Sequence, residues 1–238
     1  EMLNTEPELH AHEYFLKECI KQSQFLMSEA EEVLASELSL SGSNAWTKLQ
    51  GTITSQLGME FELEGKVERL PAPAIINLRT HSDETIRRRG YEAEDKLWSS
   101  VKESLAACMN GIKGEVNTLN RHRGRKDAVH SAIDHAHIER ETLDALLDAM
   151  KDSFPMFRRY FIAKAKLLGK EKLAWWDLYA PVGRNKSSYT YDEAKAFILK
   201  NFANFAPELE AFAVKAFANN WIDAEQRDGK RAGAFCME

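Results

Sequence analysis

The sequence predicts a mainly α-helical protein: a multi-helix domain with a small β-hairpin near residues 57–70 and one more strand near 231–236. Three observations carry this. Apolar residues recur at helical spacing over most of the chain, as in Ile86, Leu97, Trp98, Val101, Leu105 and Cys108. A period of two is confined to Leu57, Met59, Phe61 and Leu63, which alternate with Gly58, Glu60 and Glu62. Helix-start signatures such as Thr190-Tyr191-Asp192-Glu193 stand before apolar stripes.

Taken in order, Thr5-Glu6-Pro7-Glu8 reads as a capping box. The spacing of Phe15, Cys19, Phe25, Leu26, Ala30, Val33 and Leu34 behind it predicts one helix to about residue 37. Ser41-Gly42-Ser43 breaks that helix and caps a second over 44–55. Glu64-Gly65 turns the hairpin, with Val67 and Leu70 following, and Pro71-Ala72-Pro73 ends it, since proline has no N–H for a ladder. A long helix is expected from Asp83 to Asn110, capped by Ser82 and punctuated by Gly111 and Gly114. Helices are expected over 127–136, 138–152 and 155–168. Thr190 then opens a helix with Ala194, Phe197, Ile198 and Phe202 on one face. Pro207 begins another, striped by Leu209, Phe212, Ala213, Ala216 and Phe217. We divide the chain into a helical domain with hairpin over 1–170 and a second region over 171–238.

Apolar residues make up 44% and charged residues 29% of the chain, the balance of a soluble globular protein. A net charge of −5 argues against a general nucleic-acid partner, which needs a basic surplus. No apolar run is long enough to span a bilayer, and no basic, then apolar, leader stands at the N-terminus. The three cysteines, at 19, 108 and 236, are widely spaced and odd in number, which suits reduced thiols in the cytoplasm. Cys19 and Cys108 fall in amphipathic stretches and are expected to be buried.

The candidate sites divide into metal, anion and aromatic clusters. His10 and His12 are two apart, a poor chelate on a helix. His130 and Asp134 are one turn apart and could face one metal, but a plain ion pair explains the same spacing. Arg121, His122, Arg123, Arg125 and Lys126 are read as a connector or as salt-bridge partners for the Glu-rich helices. Arg87-Arg88-Arg89, with Glu92 and Asp95, reads as a charged outer face, and Trp175 to Tyr179 as packing.

Several segments resemble one family in order and spacing. They are Ser41-Gly42-Ser43-Asn44-Ala45-Trp46, Arg87 to Glu92, Asn110-Gly111-Ile112-Lys113-Gly114-Glu115 as a turn, Lys164 to Gly169 followed by Trp176-Asp177-Leu178-Tyr179-Ala180-Pro181, and Trp221-Ile222-Asp223 with Gly229-Lys230-Arg231-Ala232-Gly233-Ala234-Phe235. Together they resemble the oligoendopeptidase F branch of the thimet-oligopeptidase-like zinc metallopeptidases. The resemblance implies two largely helical halves around a channel, with the 231–236 strand along the cleft edge. Its backbone at Gly233, Ala234 and Phe235 would pair with an extended peptide substrate. It also implies a zinc ion held by H-E-x-x-H, a motif this sequence lacks.

The expectation is therefore a middle fragment of a zinc oligoendopeptidase acting on short peptides. No catalytic residue and no metal ligand lie within the chain, part of the parent precedes Glu1, and the zinc-binding half follows Glu238. Isolated, it should be inactive and should self-associate through apolar groups such as Phe212, Phe217 and Phe235. The alternative is a complete, non-enzymatic helical scaffold or peptide-binding module.

Overall fold

The computed structural model describes residues 7–63, 65–183, 188–225, 227, 229 and 230. Thr5 and Glu6 of the expected capping box, and the expected strand near 231–236, lie outside them. A 3-10 turn over Pro7–His12 leads into α1 (Glu13–Ser23), and α2 spans Glu29–Ser41. The single helix expected to run to about 37 is therefore two. The break has a local cause. The Ser28 Oγ accepts from the Glu31 N–H, and the Glu31 carboxylate accepts from the Ser28 N–H, a complete capping box. It also has a distant one. Arg123 forks onto Glu32 at 2.6 and 3.0 Å, and Phe25 lies beneath the Arg125 guanidinium, edge-on to His130.

The second helix, α3 (Ser43–Ser55), starts where Gly42 breaks the chain, as expected, but no serine side chain caps it. The Ser43 N–H and Oγ both donate to the Glu115 carboxylate, at 2.5 and 2.6 Å. A negative charge is favourable at that helix end. The hairpin stands as expected. β1 (Gly58–Leu63) and β2 (Lys66–Pro71) are antiparallel, registered from Gly58↔Pro71 to Leu63↔Lys66. Gly65 takes φ +79° in the turn, a conformation only glycine adopts freely. Pro71 ends the ladder, and Pro73 sits in the first turn of α4 (Ala72–Asn77), where its missing N–H costs nothing.

After a 3-10 turn at Leu78–Thr80 comes α5 (Glu84–His122). Its cap is Asp83, not Ser82: the Asp83 carboxylate accepts from the Thr85 and Ile86 N–H groups. It does not stop at Asn110, nor is Asn110 to Glu115 a turn. Gly111 lies within the helix, where α3 passes so close that a Cβ would sit 2.6 Å from the Trp46 ring. The helix expected over 127–136 shortens to α6 (His130–His135). The residues before it turn instead, with Asp127 accepting from the Val129 N–H and pairing with Arg140. The two helices expected over 138–152 and 155–168 are one, α7 (Arg140–Leu167), running through Pro155. A 3-10 turn at Trp175–Asp177 precedes α8 (Tyr191–Phe205), capped by the expected Thr190–Glu193 box, and α9 (Pro207–Ala218).

The core forms where the hairpin, α4 and the first half of α5 meet: Phe61, Ala72, Ile75, Leu78, Ala93 and Leu97 are buried together. The alternation read from the sequence puts Phe61 into this core and leaves Val67, on the opposite face, exposed. Farther along α5, Cys108 is buried as expected, whereas Cys19 on α1 is exposed. α8 and α9 pack chiefly on each other.

Candidate functional site

The three candidate substrate-binding residues, Gly233, Ala234 and Phe235, lie outside the described residues. The segment leading to them is described. The Gly229 N–H donates to the Ser55 carbonyl at 3.0 Å, tying this segment to the end of α3 beside β1. Arg227 forks onto the Asp223 carboxylate with two bonds of 2.7 Å. The Lys230 ammonium donates to the carbonyls of Asp223 and Glu225. The hydrogen bond from Arg227, with the charges of Arg227 and Lys230, holds the Asp223 carboxyl down to about 2. Two cations and one carboxylate thus close the turn that precedes residue 231 in the sequence.

A second constellation is buried. Arg87 is 3% exposed and Asp177 is wholly enclosed. The Arg87 guanidinium donates through Nη2 and Nε to Asp177 Oδ1, at 2.7 and 3.3 Å, and through Nη1 to the carbonyls of His81 and Ser82. Lys170 reaches the other Asp177 oxygen and also pairs with Glu84. Burial pushes the Asp177 carboxyl up, but the hydrogen bonds and charges of Lys170 and Arg87 outweigh it, and the group lies below its ordinary value. Nearby, the Lys164 ammonium donates to the Leu178 carbonyl at 2.6 Å. The start of α5, the end of α7 and the Trp175–Asp177 turn are locked together by charge. Arg87 therefore does not belong to a solvated face. Arg88 does, pairing with Glu92, while Arg89 stacks on Phe61. Within the aromatic cluster Trp176 packs against Tyr91 and Arg88, but Trp175 and Tyr179 are exposed.

The histidine candidates separate. His10 and His12 are exposed. His130 accepts from the Lys126 N–H through Nδ1, and its Nε2 stands 3.7 Å from Asp134. Asp134 is buried and already engaged by Arg125 and, at 3.6 Å, by Lys21. Among the described residues no three His, Cys, Asp or Glu side chains converge where a metal could sit. The described residues do not fit a zinc ion. The basic cluster does what the charge pattern suggested: Arg123 and Arg125 pair with Glu32 and Asp134. Of the apolar groups expected to be exposed, Phe212 is, whereas Phe217 is half-buried beneath Tyr191 and Lys195. Among the described residues no helix is long and apolar enough to cross a membrane.

The profile described as peptidase family M3 matches residues 77–238, and that described as oligopeptidase F matches residues 1–58. The chain is 26% identical to oligopeptidase PepF of Bacillus subtilis over 96% of its length, and 26% identical to group B oligopeptidase PepB of Streptococcus agalactiae over 96%. It spans only 34% and 38% of those relatives. The solved oligoendopeptidase-F of Enterococcus faecium superposes with a TM-score of 0.65 at 21% identity, covering 92% of this chain and 42% of that one, which shows a shared fold. The helical order, the hairpin and the family match over most of its length make this chain a member of peptidase family M3, in its oligoendopeptidase F branch.

Proposed function

We propose that the chain is the middle part of a zinc-dependent oligoendopeptidase of the cytoplasm that hydrolyses short peptides. The family match over residues 77–238, on a chain that spans about a third of its relatives, carries this reading. Zinc and the general base would be supplied by residues outside this sequence, and the metal would polarise the scissile carbonyl and activate water. Residues 171–238 would begin the catalytic region and 1–170 the helical domain before it. The remaining part of the enzyme would cover the exposed Phe205 and Phe212 of α8 and α9. Alone, the 238-residue chain should neither bind zinc stoichiometrically nor cleave a quenched fluorogenic peptide. Chelator-sensitive cleavage by this chain overturns the reading. So does an encoding frame that stops after residue 238 without reaching H-E-x-x-H.

Within that reading, Gly233, Ala234 and Phe235 would form the edge that pairs with substrate backbone. The Gly229–Ser55 bond supports this by tying the segment before them, with its turn closed by Asp223, Arg227 and Lys230, to the end of α3. In a full-length enzyme carrying this segment, Ala234→Pro removes a backbone donor and should cut peptide cleavage strongly without lowering the melting temperature. Phe235→Leu should cost less. Wild-type kinetics in Ala234→Pro remove this strand from the substrate site.

A further inference from the structure

We propose that the outer edge of β1 takes residues 231–236 of the same chain as a third strand, parallel to β1, so that the hairpin frames that segment. The pairing itself does not depend on what the chain catalyses. One step before the printed register, the Ala72 N–H donates to the Leu57 carbonyl at 2.8 Å. Bonded and non-bonded pairs alternate along an antiparallel ladder. Met59, Phe61 and Leu63 therefore exchange bonds with Leu70, Glu68 and Lys66 of β2. Gly58, Glu60 and Glu62 turn their N–H and C=O groups to the other edge. Two of those carbonyls accept from arginines, Gly58 from Arg69 at 3.2 Å and Glu62 from Arg89 at 3.0 Å. The Glu60 carbonyl and the three N–H groups have no partner among the described residues. A row of unpaired backbone groups is a template for another strand.

A tether selects the occupant and its direction. The Gly229 N–H is bonded to the Ser55 carbonyl, three residues before β1 begins at Gly58. Residue 231 follows Gly229 by two residues, a reach of about 7 Å. The segment is therefore delivered to the Gly58 end of β1. The Leu63 end lies about 17 Å farther along the strand, out of that reach. An antiparallel partner would have to enter at Leu63, so only a parallel run fits. Residues 231–236 match the six residues of β1 in length. None of them is proline, so each brings a donor and an acceptor. Successive residues of such a strand aim their backbone groups at opposite edges, one set at β1 and the other away from it. On the peptidase reading given above, the far edge is the one open to a substrate backbone.

Residue-resolved hydrogen exchange of the 238-residue chain, read by NMR with no peptide added, tests this apart from any activity. The Glu60 and Glu62 amides should exchange about a hundredfold more slowly than in an unstructured chain. Deleting residues 231–238 should abolish that protection. Met59 and Phe61, bonded to β2, should keep theirs, which reports in the same sample that the hairpin is intact. Of Gly233→Pro and Ala234→Pro, only one should release Glu60 and Glu62, since neighbouring donors point to opposite edges. Release by Gly233→Pro leaves the Ala234 donor facing substrate. Release by Ala234→Pro instead keeps the pairing and removes Ala234 from the substrate edge, so the two readings fail separately. Free exchange at Glu60 and Glu62 in the 238-residue chain overturns the proposal. So does protection that survives the deletion, because something else then covers the edge.

Discussion

Asp177 keeps its charge without any exposed surface because Arg87 and Lys170 supply donors to both of its oxygens. Removing one partner of such a pair costs more than the pair itself contributes, since the other charge stays buried. Asp177→Asn should therefore lose about 3–5 kcal/mol, read as a lower urea midpoint with an unchanged slope. The pH dependence has a definite sign. The native carboxyl lies below its unfolded value, so its contribution is complete above the ordinary carboxylate range and is lost as pH falls through the native value. Lys170 lies above its ordinary value, so its share is lost only at strongly alkaline pH. Wild type should thus destabilise more steeply than Asp177→Asn in the acid range; parallel acid-unfolding curves would refute the pairing. Three consecutive arginines conceal which one turns inward. Stepping back from Leu97 by three and four residues lands on Glu94, Gly90 and Arg87, all buried, so the inward face was present in the sequence but written in polar residues and glycine. Glu94 is held the same way, by a two-pronged bond from Arg79 and by the Trp98 indole N–H. The lone Asp within the aromatic Trp175 to Tyr179 run was the other available signal.

At the scale of elements, the strongest local signals held and the punctuation misled. The hairpin was legible because its alternation and Glu64-Gly65 turn agree, and α8 because its capping box and stripe agree. Gly111, Gly114 and Pro155 suggest breaks, yet α5 and α7 run through them, and only at Gly111 does a neighbouring element press on the helix. Gly111 and Gly114 test this as a matched pair, three residues apart on α5. A Cβ at Gly111 meets the Trp46 ring, whereas nothing lies within 4 Å of one at Gly114. Gly111→Ala should destabilise by about 1–3 kcal/mol through overpacking, despite better helix propensity. Gly114→Ala should stabilise by up to about 1 kcal/mol. Equal effects on the melting temperature would mean that α3 does not press on α5. Pro155 is exposed within α7 and leaves the Lys151 carbonyl without its helical donor. Pro155→Ala restores that bond, offset by a freer unfolded chain, and should raise stability by about 1–2 kcal/mol. A lower melting temperature would show that the proline's restriction of the unfolded chain outweighs the restored bond. The break between α1 and α2 was hidden for the opposite reason, since Ser28 and Glu31 lie inside a continuous apolar period that only the contacts of Phe25 and Glu32 interrupt.

Over the whole molecule, α5 is the spine. Its 39 residues would extend about 58 Å, and α3, α4, the hairpin and the Trp175–Asp177 turn all lean on it. That arrangement could not be read from periodicity, which reports which face of a helix is apolar but not which neighbour covers it. The α8–α9 pair is different in kind. Its two helices bury Ala213 against each other, while Phe197, Phe205 and Phe212 stay exposed. A segment with few buried contacts opens at lower free energy than the core it is attached to. Native-state hydrogen exchange should therefore show two levels of protection. Amides of α5 from Leu97 to Cys108 and of β1 around Phe61 should exchange only through global unfolding, with a urea dependence matching the equilibrium slope. Amides of α8 and α9 should exchange orders of magnitude faster, with a shallower urea dependence, because opening this pair exposes little surface that is not already exposed. Asp177→Asn should speed exchange in α5 and leave α8 and α9 almost unchanged. If instead both regions shift together, the pair belongs to the same cooperative unit as the spine.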